Sequence, residues 1–159
     1  MTTVVYSKGL AKVYTQLKLK SLYDLLHASF PTSDTNFIMN SMHTMEQYFI
    51  IKNRRIVACA SIADRGELPC VKTKYSNVLY NVATSPLYRN KGFMNSILSA
   101  ITQHYKKKRK KYIYLAVAQN NKPAIALYKK FGFRIHIDCN PLYDSPVYIM
   151  RIKLQTLKF

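Results

Sequence analysis

From Leu68 to Ile137 the chain has no aspartate or glutamate: 70 residues hold 14 lysines or arginines and not one acid. That gap excludes any carboxylate in the middle of the chain as a general base or metal ligand. Tryptophan is absent, and there are only four glycines in 159 residues. Neither the G-x-x-x-x-G-K spacing of a P-loop nor the G-x-G-x-x-G fingerprint of a dinucleotide fold occurs. The three cysteines, Cys59, Cys70 and Cys139, are odd in number and show no C-x-x-C spacing, which predicts unpaired thiols in a reducing compartment. His27, His43 and His104 have no ligand spacing, so no metal is expected. No apolar run approaches the roughly 20 residues that span a bilayer. The first residues, Met1-Thr-Thr-Val-Val-Tyr-Ser-Lys8, lack the basic-then-apolar order of a secretory signal. A cytoplasmic protein with no membrane partner is the expectation.

What is present is the composition of a folded chain: 48% apolar and 13% aromatic, with 13 tyrosines. The length suits a single domain over residues 1–159. Charge is the outlier. There are 25 basic residues against 7 acidic, a formal net of +18. Residues 1–80 hold 10 basic and 5 acidic side chains, and residues 81–159 hold 15 and 2. Such a field draws polyanions without saying which.

Periodicity predicts a short strand at Val4–Tyr6 and a helix over Thr15–Ser29 with Leu17, Leu19, Leu22, Leu25 and Leu26 on its apolar face. A second helix is expected over Asn36–Met45, then a hairpin of strands Gln47–Lys52 and Arg55–Ala63 turned at Asn53-Arg54. Asp64–Lys74, with Gly66 and Pro69, reads as loop. Strands over Tyr75–Ala83 and Lys111–Ala118 alternate with helices over Ser96–Lys108 and Pro123–Phe131, and strands Phe133–Asp138 and Pro146–Leu154 close the chain. The order is that of an α/β domain with a mixed sheet of about seven strands and about four helices.

Two segments point to chemistry. The first, Arg89-Asn-Lys-Gly92-Phe-Met94, is a basic turn between a strand and a helix. Gly92 permits close backbone approach there, and the amides of Asn90 to Met94 face outward where the helix begins, a disposition that holds phosphates. The second is Asn121-Lys-Pro-Ala124-Ile-Ala-Leu127-Tyr128-Lys-Lys-Phe-Gly132-Phe133. Alone, Tyr128 reads as a core aromatic with its hydroxyl at the rim. Together the segments resemble the GNAT superfamily of N-acetyltransferases, in which R/Q-x-x-G-x-G/A follows the fourth strand and N-x-x-A-x-x-L-Y-x-x-x-G-F the fifth. Met94 stands where the family has glycine or alanine.

The resemblance implies a GNAT-like fold and an acetyl-CoA-dependent N-acetyltransferase acting on a primary amine by direct attack. It implies that Arg89, Asn90, Lys91, Gly92, Phe93 and Met94 cradle the pyrophosphate of acetyl-CoA. Val82 and Thr84 would pair with the pantetheine arm through their backbone, and Asn121 would hold that arm from the other side. Tyr128 would be the general acid for the departing thiolate, with no metal involved. Family members often supply a basic carboxylate from the fourth or fifth strand, and here those strands have none. The open options are Asp64, Glu67, Glu46, Asp138, Asp144, His136, or a water held by backbone and Asn81. The acceptor is open as well: a polyamine, an aminoacyl-tRNA and a protein amine all remain, on a monomer or a homodimer. Lys106-Lys-Lys-Arg-Lys-Lys111 reads as a solvated helix end, with nuclear import or a nucleic-acid patch as the other options. The competing reading of the whole is a catalytically weak GNAT-fold domain that binds nucleic acid through its basic face.

Overall fold

A computed structural model of the chain describes residues 2–8, 16–31, 33–139 and 146–154. The elements are β1 (Val5–Lys8), α1 (Gln16–Ser29), α2 (Thr35–Thr44), β2 (Glu46–Lys52), β3 (Arg55–Gly66), β4 (Tyr75–Thr84), a 3₁₀ turn (Pro86–Tyr88), α3 (Phe93–Lys107), β5 (Tyr112–Ala118), α4 (Lys122–Phe131), β6 (Arg134–Cys139) and β7 (Val147–Lys153). The seven strands form one mixed sheet in the order β1-β2-β3-β4-β5-β7-β6. β4 runs parallel to β5, with Val78 opposite Tyr114, whereas β7 is antiparallel to both β5 and β6. The described residues thus form an α/β arrangement, one seven-stranded mixed sheet with four α-helices.

Two boundaries differ from the sequence-based expectation by three residues, and the others by two at most. β3 continues through Asp64 to Gly66, so the loop before β4 begins at Glu67. α3 starts at Phe93 rather than Ser96. The side chains of Phe93 and Met94 are buried, and that burial pulls the first turn into the helix directly after Gly92.

By contact the chain divides into two compact units, Met1–Ala63 with Tyr80–Ile101, and Asp64–Leu79 with Thr102–Phe159. In the first, Leu22, Leu25 and Leu26 of α1 and Ile38 and Met42 of α2 bury against Phe49, Ile56, Cys59 and Ala83 of the strands. Asp34 caps α2 by accepting the Asn36 N–H at 2.8 Å. Asn53 and Arg54, at φ +48° and +63°, make the two-residue hairpin turn between β2 and β3. In the second unit, Ile113, Leu115 and Val117 of β5 are buried, as are Met150 and Ile152 opposite them on β7.

Cys70 and Cys139 form a disulfide, with Cα atoms 6.0 Å apart across a separation of 69 residues. This corrects the expectation of three unpaired thiols. Nothing local marks the pair, because the β3–β4 loop and the end of β6 meet only in the tertiary structure. Cys59 is the free cysteine, and it is buried. Among the described residues, no helix is long and apolar enough to cross a membrane.

Candidate active site

Two left-handed asparagines mark β4. Asn77 and Asn81 adopt φ +55° and +52° inside the strand, where asparagine tolerates a left-handed backbone better than most residues. Such a residue reorients the peptide that follows, and Val82 follows Asn81. Val82 and Thr84 are half-buried and Ala83 between them is buried.

A buried hydrogen-bond network in the same unit holds Asn81. Its Nδ2 donates to Ser41 Oγ at 2.8 Å and to Ser61 Oγ at 3.2 Å. Ser61 Oγ donates to Gln47 Oε1 at 2.7 Å, and Gln47 Nε2 donates to the Ser41 carbonyl at 2.8 Å. Ser41, Gln47 and Ser61 are fully buried. Sequence reasoning missed these three. The available signal was a polar side chain at each of two positions in otherwise apolar strands, Gln47 and Ser61.

After β4 the chain makes the 3₁₀ turn and then the predicted basic turn. Asn90 and Gly92 both have positive φ, +59° and +76°. Alternating backbone of this kind gathers successive N–H groups into an anion-binding concavity. The first intrahelical bond of α3 runs from the Ser96 N–H to the Gly92 carbonyl at 3.1 Å, so the amides of Phe93, Met94 and Asn95 lie ahead of the helical ladder. No acid occupies the first turn of α3. A Cβ built on Gly92 meets nothing within 4 Å, so the space over the turn is open. Met94 is buried, and its bulk is therefore spent on the core and not on that space. These features fit a pyrophosphate. Arg89 Nε donates to the Thr84 carbonyl at 3.2 Å, and the Lys91 ammonium sits over the Tyr88 ring at 5.2 Å. The turn also borders a cavity of about 780 Å³ within this unit, into whose lining Lys52, Arg54, Arg55 and Arg89 add positive charge.

In the other unit, Asn121 is the N-cap of α4 and accepts the Ala124 N–H at 3.3 Å. Its side-chain oxygen thus has a structural task. Pro123 sits in the first turn of the helix, and Gly132 ends it at φ +120°. Tyr128 lies one turn before that end and is 6% exposed. Its ring packs edge-on against Phe133 at 5.7 Å. Burial pushes the phenol well above its ordinary pKa, so it stays protonated throughout the physiological range.

The candidate bases are scattered. Asp64 and Glu67 are exposed, and Glu67 pairs loosely with Lys74 at 3.9 Å. Glu46 is buried at the start of β2. Asp138 accepts a hydrogen bond from Gln119 Nε2. Burial and the neighbouring Arg151 charge lower the pKa of His136, which keeps its ring neutral. Both Nδ2 hydrogens of Asn81 are committed to serines. Asp144 lies outside the described residues.

No curated protein matches the chain in sequence. Among solved structures, the ribosomal-protein-S18-alanine N-acetyltransferase from Escherichia coli matches at 20% identity over 99% of this chain and 100% of that one, with a TM-score of 0.70. A GNAT family acetyltransferase from Elizabethkingia anophelis with acetyl-CoA bound matches at 18% identity over 94% and 97%, with a TM-score of 0.68. A GNAT family acetyltransferase from Staphylococcus aureus matches at 16% identity over 96% and 99%, with a TM-score of 0.69. At these identities the likeness is one of fold. The family model for the GNAT acetyltransferases, however, matches residues 19–133, well over half of the chain and inclusive of both motif segments. The chain belongs to the GNAT acetyltransferase family, whose acyl donor is acetyl-CoA, and is an acetyltransferase.

Proposed function

We propose that the protein transfers an acetyl group from acetyl-CoA to a primary amine by direct attack, with Tyr128 as the proton donor to the leaving thiolate. The observation that supports this most is the turn at Asn90–Gly92: two left-handed residues, an open face over Gly92, and helix-start amides with no acid in the first turn of α3. Arg89, Asn90, Lys91, Gly92, Phe93 and Met94 hold the pyrophosphate. The backbone of Val82 and Thr84, which follows the left-handed Asn81, pairs with the pantetheine arm. Asn121, at the start of α4, supports that arm with its side-chain amide.

Proton balance supports Tyr128 as an acid and not as a base. An ordinary thiol has a pKa of about 8.5, below that of a phenol at ~10, so in water the transfer runs uphill. Burial raises a thiol and a phenol alike, as it does for Cys59 and Tyr128 of this protein. Tyr128 therefore stays protonated and donates a hydrogen bond to the sulfur as negative charge develops on it, the proton passing as the C–S bond breaks. The attacking amine must lose its own proton to a group outside the acid-free window, because no carboxylate stands between Leu68 and Ile137.

The acceptor is an amine on a neutral or acidic carrier, such as a protein. A net charge of +18 disfavours a free polyamine, and one of the structural neighbours acts on a ribosomal-protein alanine. The test is thiol release from acetyl-CoA with a panel of peptide N-termini, lysine peptides, polyamines and small amines. Release stimulated by peptides supports the reading. Stimulation by none of these amines overturns it.

A further inference from the structure

The site described above leaves much of the positive charge unused, and the second unit holds most of it: 16 basic and 4 acidic residues across Asp64–Leu79 and Thr102–Phe159. One face of its strands gathers aromatic rings with these cations. On β5, Tyr112, Tyr114 and Ala116 alternate with the buried Ile113, Leu115 and Val117. Ala116 is exposed, whereas Ile149 opposite it on β7 is buried, so the open part of this face runs along β5 and the Arg151 end of β7. The Tyr75 ring lies 4.5 Å from Tyr114, and the His136 ring lies 6.1 and 5.8 Å from Tyr75 and Tyr114. The Tyr112 ring carries Arg151 at 4.6 Å and Lys111, the last residue of the basic run, at 5.5 Å.

Cross-strand register extends the pattern. Tyr114 is opposite Arg151, which is opposite Arg134, and Tyr112 is opposite Lys153. Like charges directly opposite on neighbouring strands repel. Among the described residues no carboxylate forms an ion pair with Arg134 or Arg151, and β5 and β7 contain no acid. The face thus keeps a repulsive arginine pair beside half-exposed rings, an arrangement relieved by an anion that also offers flat surfaces.

We propose that this face of β5, β7 and β6 binds single-stranded nucleic acid, with bases stacking on Tyr112, Tyr114 and Tyr75 and phosphates meeting Lys111, Arg134, Arg151 and Lys153. Stacking on aromatic rings along a basic track is the common mode of single-strand recognition. Neutral His136 adds a ring without adding repulsion. The inference is independent of acetyl transfer.

The test is fluorescence anisotropy of the full chain with labelled oligouridine and oligothymidine of about 12 nucleotides, a length within the range such surfaces cover. Duplex DNA and a polyglutamate peptide are the comparisons. Both single strands bind more tightly than duplex or polyglutamate, with a log–log salt slope of about −3 for four phosphate contacts. The tighter of the two identifies RNA or DNA as the source. Tyr112→Leu and Tyr114→Leu each weaken binding about fivefold or more, and Arg151→Gln reduces the salt slope by about 0.7. Circular dichroism shows whether each variant is folded, and Tyr112, half-buried beside Lys111 and Arg151, carries the test should Tyr114→Leu unfold. Equal binding of duplex or polyglutamate, or wild-type affinity in folded Tyr112→Leu, overturns the proposal.

Discussion

Removing one oxygen atom, by Tyr128→Phe, tests the assignment of the proton donor. The ring stays, and with it the edge-on contact to Phe133 at 5.7 Å, so packing at the end of α4 is retained. Stability should change by no more than about 1 kcal/mol, the net worth of a typical hydrogen bond. Catalysis should change far more. General acid catalysis contributes about 100- to 10,000-fold, or roughly 3 to 5 kcal/mol of barrier. The loss should fall on kcat, with the affinity for acetyl-CoA within about threefold, because the hydroxyl acts on the leaving sulfur and not on the phosphates. The pH profile supplies a second readout. Burial holds the phenol protonated, so the wild-type enzyme should show no decline from Tyr128 ionisation below about pH 10. A thioester with a more acidic thiol needs less help on departure and should recover part of the lost rate. Steady-state thiol release together with equilibrium binding of acetyl-CoA separates these quantities. A kcat within twofold of wild type in a folded variant would refute the role.

Three further outcomes follow from the geometry. Ser61→Ala leaves the buried Gln47 Oε1 without its donor and removes one of the two acceptors of Asn81, so urea unfolding should show a loss of about 2 kcal/mol; a loss under about 0.5 kcal/mol contradicts a structural role for the network. Gly92→Val places a β-branched residue at φ +76°, where strain costs about 1–3 kcal/mol, and should raise the acetyl-CoA Kd at least about tenfold. Gly92→Asn, which tolerates that φ but puts a side chain in the open space over the turn, should keep more stability than Gly92→Val while still weakening acetyl-CoA, and wild-type affinity in it would contradict the phosphate site. The unfolded Cys59 thiol ionises from about pH 9, whereas the buried thiol remains protonated up to about 12. The unfolded state then binds fewer protons, so stability falls as pH rises through that window, with a slope of up to about 1.4 kcal/mol per pH unit. Cys59→Ala should flatten this slope in alkaline denaturation curves, and an unchanged slope would assign it elsewhere.

Most element positions were legible because their signals are local. Leu22, Leu25 and Leu26 repeat at helical spacing, Asn53-Arg54 interrupts two β-rich runs, and Gly132 follows the last apolar position of α4. The start of α3 was misplaced because the burial of Phe93 and Met94, and not their local propensity, extends the helix back to Gly92. The end of β3 was misplaced because Gly66 reads locally as a turn residue, although pairing carries the strand to it.

The basic turn Arg89–Met94 and the Asn121–Phe133 segment with its helix were readable from the sequence alone, since backbone conformation at a glycine turn and helical spacing of an aromatic are properties of neighbours in the chain. So was the absence of a central carboxylate. Only the tertiary structure joined Cys70 to Cys139, closed the Asn81–Ser41–Ser61–Gln47 network at the left-handed Asn81 of β4, and set Arg134 opposite Arg151 beside a row of tyrosines. These pairings join residues far apart in sequence. Their existence depends on strand register and packing, which no local pattern records, and a polar side chain in an apolar strand gains its meaning only when its hydrogen-bond partner arrives from another element.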